Sequence, residues 1–274
     1  MANNIENALY IVATPIGNLD DITFRAIDVL KGVDVIASED TRNTSVLLEK
    51  YDIKTKLISY HKFSENQRTE LFLDYLKEGK SVALVSDAGT PLISDPGNIL
   101  VDNVYKNGFR IIPVAGASAP IVLLSATSRV DEDFKFIGFI SRSENQIEET
   151  IIKNKYENLI FYESPNRLSD TLSVIAKIDS DKIVTVGREL TKKFEEIKKD
   201  NIKNIIEYYK THTLKGEIAV LLHKSEKKEE IDIKDKIKKL QKLNLKDKEI
   251  SSIVSTLFEV NKNDVYKMCI EMKK

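Results

Sequence analysis

Short apolar runs alternate with amphipathic stretches through the first half of the chain, and turn residues mark each switch. Leu9–Ala13 reads as a strand that stops at the turn cluster Thr14-Pro15-Ile16-Gly17-Asn18. Ile22–Leu30 follows as a helix, with Ile22, Ala26, Val29 and Leu30 on one face. Val33–Ala37, Leu57–Ser59, Val82–Val85 and Arg110–Val114 read as further strands. Thr44–Tyr51, Gln67–Glu78 and Ile99–Lys106 read as helices, with Gly79 and Asn107-Gly108 as stop signals. Strands alternating with helices predict right-handed βαβ units and a mostly parallel sheet. Ligands bind such sheets outside the carboxyl ends of the strands. The unusual strings TPIGN, SEDTR, SDAGTP and AGAS all fall at those ends.

From about Ser128 the pattern changes. Phe134–Phe139, Leu159–Tyr162, Ile183–Val186 and Gly216–Leu222 read as strands. Asn145–Lys155, Arg167–Ala176 and Asn201–Tyr209 read as helices. The connection at 187–193 has hairpin length, which predicts a mixed sheet. Composition shifts again at Lys224, where a charged linker (Ser225–Glu230) leads to helical patterns at Ile231–Leu243, Lys246–Leu257 and Asn263–Met272. The expected organisation is α/β, with domains at 1–127 (mostly parallel sheet) and 128–223 (mixed sheet), then a basic helical appendage at 224–274.

Composition narrows the function classes. The chain has 274 residues, 42% hydrophobic and 31% charged, enough for a sizeable core and unlike a disordered chain. A formal net charge of −1 gives no overall basic bias toward nucleic acid, but the charge is uneven. Residues 224–274 carry 14 Lys and 10 Asp/Glu, a net of +4, which leaves −5 in residues 1–223. Lys227, Lys228, Lys234, Lys236, Lys238 and Lys239 would suit phosphate contacts. Ile237, Leu240, Leu243, Ile250, Ile253, Leu257 and Val265 give the same helices an apolar face that would suit packing. The single cysteine, Cys269, excludes a disulfide framework within the chain and a Cys-x-x-Cys zinc site. His61, His212 and His223 are too scattered to suggest a metal cluster, so no metal is expected. The opening MANNIENALYIV lacks the basic n-region of a secretory signal. Residues 111–128 are uncharged and just long enough to span a bilayer, but Pro113, Gly116 and Pro120 interrupt them. A strand, turn and helix in a cytoplasmic enzyme, with no membrane role, is the expectation.

Familiar nucleotide and hydrolase fingerprints are missing: no Gly-x-Gly-x-x-Gly, no Gly-x-x-x-x-Gly-Lys-Ser/Thr and no Gly-x-Ser-x-Gly. In their place stands Ser86-Asp-Ala-Gly-Thr-Pro-Leu-Ile-Ser-Asp-Pro-Gly97, with two Gly, two Pro and two Asp in 12 residues. Its glycines let backbone approach a ligand closely, as a site for an adenosine or an amino-acid head group requires; the alternative is a tight turn. Ala115-Gly116-Ala117-Ser118-Ala119 opens a helix and suits either an anion or close helix–sheet packing. Glu39, Asp40 and Arg42 would grip a polar substrate or place a proton acceptor; the alternative is a helix cap with a solvated first turn. Glu163, Arg188, Glu189, Lys215 and Glu217 repeat that pattern of charge at strand ends. His61 would serve as a base, an RNA contact or a structural histidine, and His212, His223 and Cys269 read as structural.

Thr14-Pro-Ile-Gly-Asn18, Ser38-Glu-Asp-Thr-Arg42, the 86–97 string, Phe161-Tyr-Glu-Ser164 with Arg167-Leu168, Arg188-Glu-Leu-Thr191 and Lys215-Gly-Glu217 together resemble the tetrapyrrole-methylase superfamily. Within it they are similar to the branch that methylates small-subunit (16S) ribosomal RNA on a cytidine 2′-hydroxyl. The resemblance runs from about Leu9 to Leu222, and the appendage resembles that branch's C-terminal helices. It implies two α/β domains with an S-adenosylmethionine cleft between them, a homodimer, and no metal. It implies cofactor contacts from Pro15, Asp87, Ala88, Gly89, Thr90, Pro91, Ile93, Gly116, Ser118, Ala119, Phe161, Tyr162, Ile218 and Ala219. It leaves Asn18, His61, Glu163, Arg167, Lys215 and Glu217 to the RNA substrate, and Glu39, Asp40, Arg42, Arg188 and Glu189 to catalysis. The chain departs from that branch at Ala115 (usually Pro), at Asn166 (usually His) and at Ile140-Ser141-Arg142-Ser143-Glu144, where a Leu-Pro and a basic run are usual.

A ribose hydroxyl is a poor nucleophile and needs a nearby proton acceptor. Asp40 or Glu39 would accept the proton, and Arg42 or Arg188 would steer the phosphodiester. Two other functions compete: a tetrapyrrole methyltransferase on the same fold, and a non-enzymatic RNA-binding assembly factor. Gly- and Pro-rich loops at successive strand ends favour a small-ligand site over the latter.

Overall fold

Strands that are apolar at every position need cover on both faces, and the first sheet receives it. The computed structural model describes residues 5–61, 65–129, 131–212, 214–225, 233–243, 245–258 and 260–272. β1 (Ala8–Val12), β2 (Val35–Ser38), β3 (Lys56–Ser59), β4 (Val82–Val85) and β5 (Arg110–Val114) pair in the order β3-β2-β4-β1-β5, all parallel. On one face Ala8, Tyr10, Val12, Ile36 and Ala83 pack with α1 (Phe24–Gly32) and α2 (Thr41–Lys50). On the other, Leu9, Val35, Ala37 and Leu84 pack with α3 (Glu65–Lys77) and α4 (Asn98–Lys106). The alternation of side chains along each strand assigns neighbouring residues to opposite layers.

α5 (Ala119–Ser125) follows β5 but packs on the second sheet: Leu123 and Leu124 meet Ile160, Ala219 and Leu221. The uncharged 111–128 stretch is therefore a strand, a turn and a short helix. Among the described residues no helix is long and apolar enough to cross a membrane.

The second sheet comprises β6 (Lys135–Phe139), β7 (Leu159–Glu163), β8 (Ile183–Arg188), β9 (Glu196–Asn201) and β10 (Ile218–Leu222), in the order β6-β7-β10-β8-β9. Only β6 and β7 run parallel, so the sheet is mixed. α6 (Glu144–Lys153), α7 (Leu168–Ile178) and α8 (Ile202–Thr211) cover its outer face through Ile151, Leu172, Ile175 and Ile205.

Two departures from the sequence pattern have identifiable causes, one local and one not. α2 begins at Thr41 rather than Thr44, because the Asp40 carboxylate accepts the Arg42 amide at 2.9 Å and caps the helix. β9 reads Glu-Ile-Lys-Lys-Asp-Asn, with no apolar alternation, and is a strand only through its pairing from Arg188↔Glu196 to Ile183↔Asn201.

The chain divides into two compact units, 1–225 and 226–274. Lys224 and Ser225 belong to the first: Lys224 pairs with Asp131, and the Ser225 hydroxyl donates to Asp179 at 2.6 Å. In the second unit α9 (Ile233–Gln241), α10 (Asp247–Phe258) and α11 (Lys262–Glu271) bury Ile237, Ile250, Val254, Val265 and Cys269 among themselves. Their apolar face thus has an occupant, while Leu243 and Leu257 stay exposed. Lys227, Lys228 and the linker after Ser225 lie outside the described residues.

His223, directly after β10, is buried, with Nε2 2.8 Å from the Thr185 hydroxyl. Burial first, then the nearby cations Lys199, Lys182 and Arg129, push its pKa down to about 4. From the ordinary value near 6.5 down to about 4, the unfolded chain takes up a proton that the folded chain refuses. Stability therefore falls as pH falls through that window, by up to about 3 kcal/mol from this group. Melting temperatures between pH 7 and pH 4 check it: His223→Asn flattens the acid loss, and identical slopes in both proteins would exclude the effect.

Candidate functional site

The strand ends of the first sheet meet the second sheet across a cavity of about 430 Å³. That volume lies within the range of roughly 300–1,000 Å³ usual for small-ligand sites. From the first sheet come Ile16 after β1, Glu39 after β2, the loop from Asp87 to Asp95 after β4, and Ser118 and Ala119 at the start of α5. From the second come Phe139, Tyr162, Glu163, Gly187, Leu190 and the stretch from Gly216 to Ala219.

Backbone geometry builds the β4 loop. Gly89 and Thr14 exchange both amide hydrogen bonds, at 2.9 and 3.0 Å, so the loop after β4 is stitched to the end of β1. Gly89 has φ +78°, and a Cβ there would lie 3.2 Å from Ile16 Cγ2. The Thr90 hydroxyl donates to the Ala117 carbonyl at 2.9 Å, which ties in the turn before α5. Gly116 lies against strand β1: a Cβ there would stand 2.8 Å from Ala13 Cβ. Close packing is what that glycine is for, and Gly116 does not line the cavity.

Five carboxylates line the cavity, Glu39, Asp87, Asp95, Glu163 and Glu217, with no Lys, Arg or His among the lining residues. Burial, then Asp87 and Asp95, raise the Glu39 pKa. Burial pushes Asp95 up to about 6 and Tyr162 up to about 12; the latter also feels Asp95 and Glu217. Glu163 is fully enclosed, accepting the Ser164 amide at 2.7 Å and the Thr171 hydroxyl at 2.6 Å. Arg167 Nη2 lies 3.2 Å from it and donates to the Ser141 carbonyl at 2.6 Å.

Of the residues the sequence pointed to, Glu39, Asp87, Ala88, Gly89, Thr90, Ile93, Ser118, Ala119, Tyr162, Glu163, Glu217, Ile218 and Ala219 come together here. Asp40 and Arg42 do not. Their side chains clasp each other at 2.6 and 3.0 Å beside the rim, and Arg42 holds the Asp40 carboxyl down at about 2. The cap alternative therefore describes Asp40. Phe161 also departs from expectation: strand alternation turns its side chain into the core under α7, while Tyr162 faces the cavity. Arg188 pairs with Glu196 at 3.7 Å in the β8–β9 hairpin.

Glu189 and Asn18 brace loops rather than line the cavity. Lys192 spans Glu189 and Glu217 at 2.9 Å each, and the Glu217 amide donates to Glu189 at 3.0 Å. Burial works against the Glu189 charge, but Lys192 and that amide hold its pKa below the ordinary value. The Asn18 amide donates to the Thr191 hydroxyl at 3.1 Å. Pro15, Pro91, Lys215 and exposed His61 also lie outside the lining. The sequence reading missed nine lining residues: Ile16, Ser94, Asp95, Ser164, Leu190 and Gly216, which sit inside strings it had singled out, and Phe139, Pro165 and Gly187, which do not.

Two sheets that share one ligand-sized cleft at their strand ends define a two-lobed α/β fold. The chain belongs to the tetrapyrrole (corrin/porphyrin) methylase family, whose profile matches residues 8–206. It is 43% identical over 226 residues to a protein of Bacillus subtilis (strain 168) named ribosomal RNA small subunit methyltransferase I, covering 82% of this chain and 77% of that one. A Pasteurella multocida (strain Pm70) protein of the same name is 37% identical over 277 residues, covering 98% and 99%. Among solved structures, the cobalamin biosynthetic enzyme cobalt precorrin-4 methyltransferase superposes with a TM-score of 0.61 at 17% identity, over 79% of this chain and 95% of that one. At that identity the likeness speaks for the fold.

Proposed function

We propose that the chain transfers a methyl group from S-adenosylmethionine to the 2′-hydroxyl of a cytidine ribose in small-subunit ribosomal RNA. The observation that carries this reading is identity at 37–43% to proteins named for small-subunit ribosomal RNA methylation, in one case along nearly the whole chain. The cavity is compatible with the cofactor. Gly89 leaves backbone open where a side chain would intrude, and Ile93, Leu190 and Ile218 offer apolar contact. Glu163 is paired with Arg167 and Glu217 with Lys192, which leaves Glu39, Asp87 and Asp95 as the lining carboxylates that favour a positively charged ligand. S-adenosylmethionine supplies an electrophilic methyl group on a cationic sulfur.

Gly89, Thr90, Ile93, Ser118, Ala119, Tyr162, Ile218 and Ala219 hold the cofactor in this reading. Asp87 and Ala88 join them, while Glu39 and Glu217 face the substrate side. Arg42, with 88% of its side chain exposed at the rim, contacts phosphate; His61 and Lys215 extend that surface. Alignment of hydroxyl and methyl group supplies much of the rate. The target nucleotide is unpaired, because a 2′-hydroxyl and its base are read when splayed out. Domains at 1–127 and 128–223, a homodimeric assembly and a cytoplasmic location belong to the same reading.

Incubating the protein with assembled small subunits and labelled S-adenosylmethionine tests it. Label is expected in RNA at an alkali-resistant linkage, the mark of a 2′-O-methyl group. Label that enters only a tetrapyrrole would overturn the reading.

The basic C-terminal unit gives a separate expectation. A chain ending at Ser225 should keep its cofactor affinity, since every cavity residue precedes that point. Loss of residues 226–274, with 13 Lys and 10 Asp/Glu for a net of +3, should weaken subunit binding and flatten its salt dependence. Affinities at two salt concentrations decide: equal slopes for full-length and shortened chains remove the phosphate role.

A further inference from the structure

The edge strand of the second sheet carries an irregularity beside the cavity. Phe136 of β6 lies opposite Ile160 of β7, but Phe139 lies opposite Tyr162, so three steps on β6 match two on β7. One extra residue makes a β-bulge, a device that re-aims side chains next to active sites. Gly138 sits in the bulge at φ +68°, and a Cβ there would lie 3.1 Å from Ser94 Oγ of the loop after β4. Left-handed backbone and that close approach both call for glycine.

The bulge decides which face Phe139 occupies. Phe136 packs on the inner face with Ile160 and Tyr162, and Ile137 packs on the outer face with the core under α6, α7 and α8. Simple alternation would return Phe139 to the outer face. Instead its ring lines the cavity, with its centroid 5.3 Å from that of Tyr162. Yet Phe139 is 68% exposed. A large apolar ring is thus turned inward and left mostly uncovered at the mouth of the cavity.

We propose that Phe139 is the stacking platform for the base of the nucleotide that is methylated, an assignment that rests on the 2′-O-methyl transfer reading. Base and reacting hydroxyl are carried by one sugar, so the ribose cannot reach the cavity without bringing its base to the rim. A splayed-out base loses its neighbours in the strand, and an aromatic side chain replaces them. Phe136 and Phe139 flank the Tyr162 ring at 5.1 and 5.3 Å, inclined to it by 70° and 59°. Such inclined pairs are favourable, and this one ties the platform to the wall on which the cofactor rests. Holding the base there fixes the hydroxyl relative to the methyl group. The exposure favours RNA over the adenine of the cofactor: a small ligand is mostly enclosed by its pocket, whereas RNA arrives from outside and covers the rim.

The test uses the full chain with assembled small subunits. Phe139→Ala should raise KM for the subunit by about 10-fold or more, the scale of one lost base–aromatic contact. Stacking made equally before and during methyl transfer leaves kcat within about 3-fold. Calorimetry should show S-adenosylmethionine affinity close to wild type. Phe139→Tyr, which keeps the ring, should keep the wild-type KM, and Phe139→Leu, apolar but without a ring, should not. The photoreactive analogue p-benzoylphenylalanine at position 139 should crosslink to RNA at the nucleotide that the wild type methylates. Any of four results overturns the assignment. The first is a wild-type KM in Phe139→Ala or Phe139→Leu. The second is cofactor affinity that falls in step with the rise in KM, which gives the ring to the adenine. The third is a crosslink to a second copy of the chain, which makes the ring a subunit contact. The fourth is the absence of any crosslink at the methylated nucleotide. Wild-type protein that binds cofactor but leaves RNA unmethylated overturns the underlying reading instead, and the assignment with it.

Discussion

Gly89→Val lowers the affinity for S-adenosylmethionine by about 10-fold or more, the scale of one clash or lost contact at ~1.4 kcal/mol. Gly89 holds φ +78°, a region that β-branched residues avoid. Its Cβ would sit 3.2 Å from Ile16 Cγ2 and 3.6 Å from the Ala117 carbonyl, at the wall of the cavity. Relief of that crowding moves either Ile16, itself a lining residue, or the paired backbone of Thr14 and Gly89. Both displace the surface on which the cofactor would rest. Calorimetry on the variant, with circular dichroism to establish folding, is the measurement. A folded variant with wild-type affinity removes this loop from the cofactor site.

Glu163→Ala destabilises the protein by roughly 3 kcal/mol, the low end of the range for breaking a buried ion pair. The Glu163 side chain is 1% exposed, and its loss strands the Ser164 amide, the Thr171 hydroxyl and the Arg167 guanidinium. Arg167, at 28% exposure, recovers some hydration, which is why the low end applies. For a unit of this size the melting temperature should drop by roughly 6–12 °C. Thermal unfolding at pH 7 checks it, and a shift of ~1 °C or less would show the enclosed carboxylate to be dispensable.

Local pattern was sufficient for much of this protein. β4 has the bounds read from its apolar run, because a strand buried on both faces needs nothing but apolar residues between turn signals; β5, an edge strand with Arg110 and Pro113 exposed, also keeps the bounds read for it. The parallel first sheet followed from strand–helix alternation, and the position of the cavity followed from where the Gly- and Pro-rich strings fell. The departures share a cause. β9 is a strand by virtue of a partner eight or more residues away, so its own composition carries no signal. Asp40 and Asp95 look alike in sequence, each an aspartate in a polar string at a strand end. One is spent on a helix N-terminus and an adjacent arginine; the other is carried against Tyr162 of the opposite sheet, where burial changes its chemistry. Gly116 serves Ala13, a hundred residues earlier in the chain, and Gly216 leaves room for Glu189, a contact between two loops. The sequence by itself determined which segments fold and which loops are special, since those depend on neighbours within a few residues. Only the tertiary structure decided which side chains share the cavity, because convergence depends on the pairing and packing of two separate sheets.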